Sequence, residues 1–161
     1  DQKIAVFNYN SSGVAFSLAR EIPLVNISNA AIGDINGDNI SEIIVVHGDY
    51  YNQYLSVYDN NFNSISNIAI NRYISSIYLE NLPGARKNII LATIEPVSTG
   101  GYNNFEINKL RALDPFTGYE VWQSPNLLGR IPTNSLNYVD TNDDSKIDLI
   151  FTTNQTINVI H

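Results

Sequence analysis

The feature that most restricts the fold of this chain is a short oxygen-rich loop that occurs twice, each time directly before an apolar run. Oxygen-bearing side chains stand at the first, third, fifth and ninth positions, and the seventh position offers its backbone carbonyl. In the first copy these five positions are Asp34, Asn36, Asp38, Glu42 and, at the carbonyl position, Ile40. In the second copy they are Asp140, Asn142, Asp144, Asp148 and, at the carbonyl position, Lys146. A loop repeated in this way predicts a repeated structural unit.

The spacing of these side chains suits a hard divalent cation. Calcium takes about six to eight oxygen ligands at roughly 2.3–2.6 Å, and alternate positions of a tight loop can supply them. Carboxylates packed this densely also repel one another unless a cation lies among them. The alternative is a pair of Asn/Asp-rich turns, which are common in loops. We predict two calcium sites, one in each loop.

Other segments repeat with the same offset that relates the two loops. Phe16, shifted by that offset, falls on Trp122, and a middle copy of the loop follows at about half the distance. The middle copy keeps an acidic first residue, Glu80, but it has lost most of the other ligands and carries Arg86 and Lys87 instead. We predict that it binds no metal. A period of roughly 45–60 residues made of short strands is typical of a propeller or a related repeat array.

Short runs rich in Ile, Val, Tyr and Phe alternate with Gly, Asn, Asp and Ser, and no segment has a helical period. The predicted strands are 42–47, 53–58, 64–70, 73–79, 88–94, 108–113, 119–123 and 135–139. About four strands per unit is the number in a propeller blade. We therefore predict an all-β chain of about three and a half four-stranded antiparallel β-propeller blades. The predicted division is a partial blade over 1–28, blades over 29–72 and 73–125, and a partial blade over 133–161.

Closed propellers have about four to eight blades, so these units predict part of a larger ring. The remaining blades are expected from the same chain or from another copy of it, because an unpaired blade edge invites aggregation.

The two acidic loops resemble the calcium loops of FG-GAP repeats, also called VCBS repeats, which are known from integrin α-subunit propellers and from secreted microbial proteins. The segment 112–122 resembles a second propeller signature, the docking motif of pyrroloquinoline-quinone enzyme-type repeats. In that motif Asp114 and Gly118 are expected to shape a hairpin turn, and Trp122 is expected to pack against the neighbouring blade. The resemblance implies an architecture and not an activity, because propellers host many unrelated functions.

Composition indicates the setting in which the chain works. The net charge is −7 and the basic residues are scattered, which argues against a nucleic-acid partner. Cysteine is absent, so no disulfide framework is expected, and no apolar run of about 18 residues predicts a membrane span. Four Asn-x-Ser/Thr sequons make Asn10, Asn26, Asn39 and Asn154 candidate glycosylation sites. Together with the calcium loops, the sequons predict an extracellular or cell-surface location.

No residues form a recognisable catalytic set. The two histidines, His47 and His161, belong to no constellation, and the chain lacks both cysteine and a Gly-x-Ser-x-Gly nucleophile motif. We therefore predict that the chain is not an enzyme. Two alternatives remain open. The chain is a non-catalytic propeller portion of a secreted enzyme, of polysaccharide lyase or dehydrogenase type, or it is a structural subunit of a surface layer or filament.

The connections 48–54 and 95–106 are rich in Tyr and Asn and are predicted to lie on the face opposite the metal loops. Tyr combines an apolar ring with a polar tip, and Asn adapts its hydrogen bonds, which suits recognition. We predict that this face binds a protein or glycan partner. The alternative is an ordinary pair of solvated hairpin loops. The candidate residues are Tyr50, Tyr51, Asn52, Tyr102, Asn103, Asn104 and, on a connection between blades, Arg72.

Overall fold

The computed structural model describes residues 3–10, 15–50, 52–70, 72–80, 88–97, 105–132, 135–144, 148–154 and 156–160. These residues form β-strands and no helix, which confirms the predicted all-β class. The strands of the first half are β1 (Lys3–Asn10), β2 (Ala15–Pro23), β3 (Asn29–Gly33), β4 (Glu42–Asp49), β5 (Asn52–Tyr58) and β6 (Ser64–Ala69). Those of the second half are β7 (Tyr73–Glu80), β8 (Asn88–Val97), β9 (Phe105–Leu113), β10 (Glu120–Gln123), β11 (Leu136–Val139), β12 (Asp148–Thr152) and β13 (Ile157–Ile160). A search of the described segments for a helix able to cross a membrane finds none.

The strands form four antiparallel sheets, and within each sheet every strand is bonded to its neighbours along the chain. The sheets are β1–β2, β3–β4–β5–β6, β7–β8–β9–β10 and β11–β12–β13, called here the first to the fourth sheet. Antiparallel neighbours need only short hairpin connections, which the frequent Gly, Asn and Asp residues supply. The residues that the structure describes do not close into a ring or barrel. The blade number therefore stays a prediction.

Two hairpins are longer than the sequence indicates. β4 continues to Asp49 and β5 begins at Asn52, and these two residues pair with each other, so only residues 50 and 51 connect the strands. In the same way β8 continues to Val97, which pairs with Phe105 at the start of β9. The predicted connections are too long because Gly, Asn and Pro are turn residues by propensity. A neighbouring strand can nevertheless continue the hydrogen-bond ladder through such residues.

The second and third sheets face each other across an apolar core. Its buried members come from both sheets and from the segments that flank them: Ile35, Ile44, Val46, Leu55, Val57, Ile70, Ile74 and Leu113. The first strands of the two sheets, β3 and β7, lie side by side. Their approach is close, since a Cβ atom on Gly33 would lie 2.7 Å from the Cδ1 atom of Leu79. The two sheets therefore pack face to face with their first strands adjacent.

A second apolar core lies between the third and fourth sheets. Its buried members are Leu110, Ala112, Ile131, Leu136, Leu149 and Phe151. Trp122 is partly buried and packs against this core. The backbone nitrogen of Leu136 also donates a hydrogen bond to the Tyr78 hydroxyl at 3.1 Å. The third sheet is thus covered on both faces, and the second, third and fourth sheets stack in chain order.

The turn between β9 and β10 is organised by Asp114. Its Oδ1 atom accepts hydrogen bonds from the backbone nitrogens of Phe116 at 3.0 Å and Thr117 at 2.8 Å. Gly118 donates its backbone N–H to the Asp114 carbonyl at 2.9 Å and has φ of 71°. Asp accepts such local bonds readily and glycine adopts positive φ without steric cost. The sequence pattern of this turn thus has a direct structural reason.

Replacement of Gly118 by alanine is expected to lower the free energy of unfolding by at least about 1–2 kcal/mol, the cost of left-handed backbone for a residue with a side chain. The added Cβ atom would also overlap the Cγ2 atom of Ile68 on the second sheet. Urea unfolding of Gly118→Ala measures the loss. In an Ile68→Ala background the same change is expected to cost less, since the overlap is relieved. A loss within about 0.5 kcal/mol in both backgrounds would contradict this turn geometry.

Candidate functional site

The first acidic loop connects β3 to β4. The Asp34 carboxylate accepts two backbone hydrogen bonds, from Gly37 to Oδ1 at 2.7 Å and from Asn39 to Oδ2 at 2.9 Å. The Oδ1 atom of Asn36 accepts a third, from Asp38 at 2.8 Å. Gly37 and Asn39 have φ of 84° and 65°, values that Gly and Asn tolerate best. The loop therefore folds around the oxygen atoms of its own side chains.

The second acidic loop connects β11 to β12 and is also held by hydrogen bonds to its own side chains. The Oδ1 atom of Asp140 accepts bonds from the backbone nitrogens of Asp144 at 3.2 Å and Asn142 at 3.3 Å. The Oδ1 atom of Asn142 accepts from the Asp144 nitrogen at 3.1 Å, as its counterpart does in the first loop. Asp143 has φ of 58° at the position that Gly37 occupies in the first loop. The two loops thus share the hydrogen bond from the fifth residue to the side chain of the third, and a left-handed residue at the fourth position.

The ninth position of each loop is a buried carboxylate at the first residue of the following strand. Glu42 is 2% exposed, and its Oε2 atom accepts a bond from the backbone nitrogen of Ile35 at 2.9 Å. Asp148 is 1% exposed, and its Oδ2 atom accepts from the backbone nitrogen of Thr141 at 2.9 Å. In both loops the second residue therefore donates to the ninth. Burial of a carboxylate at this position cannot be read from the sequence pattern.

The Asn36 side chain lies between two carboxylates of the first loop. Its Nδ2 atom donates to Oδ2 of Asp38 at 3.0 Å and to Oε1 of Glu42 at 3.2 Å. Both hydrogen bonds to the Glu42 side chain come from neutral donors, and in the described part of the chain Glu42 forms no ion pair. A buried carboxylate without a countercharge is costly, and a cation among these oxygens would offset the cost. The donor set of carboxylate and amide oxygens fits calcium.

The structure gives less information on the remaining predicted metal ligands, the seventh residues of the two loops. Ile40 has an exposed side chain, and its backbone nitrogen donates to Oδ1 of Asp38 at 2.7 Å. Lys146 and most of the middle copy of the loop lie outside the described residues. Among the residues with described positions, no three Asp, Glu, His or Cys side chains converge as a ready-made metal-binding group. The carboxylates of the first loop bond instead to backbone N–H groups and to Asn36.

The opposite end of the second sheet carries a pair of stacked tyrosines. Tyr50 lies in the turn between β4 and β5, and its ring stacks on that of Tyr73, with the centroids 4.4 Å apart and the planes at 20°. Successive hairpin turns lie at alternate ends of a sheet, so this turn is opposite the acidic loop. Tyr50 is exposed, as is Asn52 at the start of β5. Nothing in the sequence singles out Tyr73, because only the stacking of the two sheets brings it to Tyr50.

Arg72 directly precedes Tyr73 and is held by an ion pair. Its guanidinium lies 3.8 Å from the Glu120 carboxylate, which also pairs with the buried Arg111. The structure therefore places Arg72 beside the tyrosine pair in the chain and in contact with the third sheet. The other candidate residues of this face, Tyr51, Tyr102, Asn103 and Asn104, lie outside the described residues.

Three of the four candidate glycosylation residues have described side chains, and all three are exposed. Asn26 and Asn39 both have positive φ, of 53° and 65°. The Nδ2 atom of Asn26, where a glycan would attach, donates to a β4 carboxylate at 2.7 Å. Asn154 accepts a backbone hydrogen bond at 3.0 Å. Asn10 lies in β1, and its side chain is outside the described set.

The side chains of His47 and Ser56 are buried in the second sheet and begin a short hydrogen-bonded chain. Its Nε2 atom lies 2.8 Å from the Ser56 hydroxyl, which donates to Oδ1 of Asn67 at 3.2 Å. The His47 ring also stacks on Tyr54, and burial lowers the pKa of His47. Because the Ser56 side chain is buried, its hydroxyl is not presented to a substrate in solvent. We assign this cluster a structural role.

Comparison with models of known protein families finds no match, and a comparison with curated proteins finds none either. The loops and surfaces of the chain therefore provide the basis for assigning its function.

Proposed function

We propose that this chain is a segment of a calcium-stabilised extracellular β-propeller that acts as a binding or adhesion scaffold and not as an enzyme. The observation that carries the proposal is the hydrogen-bond scheme common to the two acidic loops. In each loop the second residue donates to a buried carboxylate at the ninth position, the first residue of the next strand. Two loops far apart in sequence share this arrangement, as expected for a repeated site with one purpose.

The arrangement of the sheets supports the propeller part of the proposal. The second sheet spans Asn29–Ala69 and the third spans Tyr73–Gln123, each with its strands in chain order. Consecutive sheets pack face to face, and β3 lies beside β7. Blades arranged around an axis pack in this way, with their first strands nearest the axis. The remaining blades would come from the same chain or from another copy.

Each acidic loop joins the first strand of a sheet to the second strand, in the second sheet and in the fourth sheet. Asp34, Asn36, Asp38 and Glu42 would hold one calcium ion, and Asp140, Asn142, Asp144 and Asp148 the other, each with the seventh-position carbonyl. A bound cation would neutralise the carboxylates and hold the two strands together. Extracellular modules use calcium sites of about millimolar affinity, which suits an extracellular or cell-surface location.

The tyrosine pair is the best-placed group for a partner, since it lies at the end of the sheet opposite the acidic loop. Replacement of Tyr50 by alanine is expected to weaken binding to an immobilised glycan at least about tenfold, because exposed aromatic anchors dominate such contacts. The measurement is binding of the calcium-loaded protein to a glycan array. Tyr119→Ala is the matched control. Tyr119 is 72% exposed in the turn between β9 and β10, which lies at the same end of its sheet as the connection that corresponds to the acidic loops.

Loss of binding in the Tyr50 variant alone would support the proposed face. If both variants bind equally, or if the unaltered protein binds no glycan, the proposed face does not have a glycan partner. The same pair of variants can then be tested for adhesion to cells, which would reveal a protein partner.

A further inference from the structure

The chain contains one Asn-Gly pair, and it lies inside the first acidic loop at Asn36 and Gly37. Glycine has no side chain, so its backbone nitrogen can approach the side-chain amide of the preceding residue with little hindrance. Both residues are exposed, so water reaches them. The equivalent residues of the second loop are Asn142 and Asp143, in which a side chain hinders that approach. The first loop alone therefore carries a reactive pair.

We infer that Asn36 is a self-modification site whose deamidation is restrained by the hydrogen bonds of the folded loop and released when the loop opens. The Gly37 nitrogen attacks the side-chain carbonyl carbon of Asn36 and loses its proton to solvent, and the side-chain nitrogen leaves as ammonia. Water then opens the resulting five-membered imide at either carbonyl. The product is Asp or an isoaspartyl linkage at position 36, with one water consumed and one ammonia released.

The restraint acts on both reacting groups. The Gly37 N–H is bonded to the Asp34 carboxylate at 2.7 Å, which keeps the proton on the nitrogen that must attack. The Asn36 side chain is held at both ends. Its oxygen accepts from Asp38 at 2.8 Å, and its nitrogen donates to the carboxylates of Asp38 and Glu42 at 3.0 and 3.2 Å. Reaction therefore requires several loop bonds to break together.

The modification would change the chemistry of the loop. A carboxylate at position 36 cannot donate to Asp38 and Glu42, and three like charges would then lie together and repel one another. With a cation present, the new carboxylate would instead add a negatively charged ligand. This consequence rests on the proposed function, whereas the reaction itself does not. A loop kept without calcium would thus react faster and be more disturbed by its product.

The first test follows deamidation at Asn36 and at Asn142 by peptide mass spectrometry, in the native protein and in concentrated urea. In urea, Asn36 is expected to react at least about tenfold faster than Asn142, because only Asn36 precedes glycine. In the native protein the Asn36 rate is expected to fall at least about tenfold, because the loop bonds hold both groups. Equal rates at the two positions in urea, or an Asn36 rate unchanged by folding, would overturn the inference.

A pair of variants tests whether the loop bonds themselves are responsible. Asp34→Ala removes the acceptor of the Gly37 N–H, and Asp140→Ala replaces the equivalent aspartate of the other loop, which accepts from the Asp144 nitrogen. With native circular dichroism verified, only Asp34→Ala is expected to speed the reaction at Asn36. A native-like Asp34→Ala protein that reacts at the unaltered rate would overturn the assigned restraint. Calcium is expected to slow the deamidation of Asn36 further. If folding slows this reaction but calcium has no effect on it, only the proposal of a metal site is contradicted.

Discussion

Chelation of calcium is expected to lower the free energy of unfolding of this protein by about 2–3 kcal/mol per site, starting from free calcium at about a hundredfold excess over its Kd. A ligand bound only by the native state stabilises that state by mass action, and both loops are built only when their flanking strands pair. Thermal unfolding at graded calcium concentrations measures the effect, and titration calorimetry gives the number of sites. Two sites are expected.

Replacement of the buried carboxylates separates the contributions of the two loops to the stabilisation by calcium. Glu42→Gln and Asp148→Asn keep the shape of the side chain and remove its charge, so each is expected to abolish about half of the stabilisation by calcium. The double variant is expected to show none. In the absence of calcium, Glu42→Gln is expected to change the free energy of unfolding by less than about 1 kcal/mol. Removal of a buried charge that forms no ion pair with the described residues offsets the loss of one acceptor oxygen. A large loss of stability seen only with calcium present distinguishes a ligand from an ordinary structural residue.

Asp59→Asn is a control for the first prediction. Asp59 lies between β5 and β6, and the hydrogen bonds from the side chain and backbone of Asn63 lower the pKa of Asp59. Its replacement is expected to leave the calcium-dependent shift at its full size, since the residue is outside both loops. A full calcium shift in the double loop variant would contradict the assignment of the two sites. So would the loss of that shift in Asp59→Asn.

Replacement of Phe151 by alanine is expected to lower the free energy of unfolding by about 3–5 kcal/mol, the usual cost of removing a buried aromatic side chain. Phe151 lies on β12, is 0% exposed and is the largest fully buried side chain in the described part of the chain. Its ring fills the core between the third and fourth sheets, so the cavity would weaken the contact between them. Urea unfolding measures the loss, and the fourth sheet is expected to lose protection from hydrogen exchange first.

Phe16→Ala is the matched control for the core prediction. Phe16 is 71% exposed on β2, so the same change there is expected to alter stability by no more than about 0.5 kcal/mol. Similar losses in the two variants would contradict the placement of Phe151. A large loss in Phe16→Ala alone would show that the face of the first sheet is covered in solution.

The local elements were predictable because short-range physics decides them. Asp114 and Gly118 form a turn because a carboxylate accepts nearby N–H groups and glycine accepts positive φ. The acidic loops follow the same rule, with Asp34 and Asp140 each accepting backbone hydrogen bonds from their own loops. Strand type followed from the β-branched and aromatic runs. The predicted strand ends at His47 and Ile94 were wrong. Pairing with a neighbouring strand outweighed turn propensity there, so β4 continues to Asp49 and β8 to Val97.

The sequence by itself determined the all-β class, the position and residue types of the two acidic loops, and the hairpin turn at Asp114. Each of these depends on contacts within a few residues, so the order of side chains along the chain is sufficient. Only the tertiary structure decided that Glu42 is buried, that Tyr73 stacks on Tyr50, and that sheets pack in chain order around two cores. Those features join segments far apart in sequence, and their energy comes from apolar area that becomes buried only when whole sheets meet.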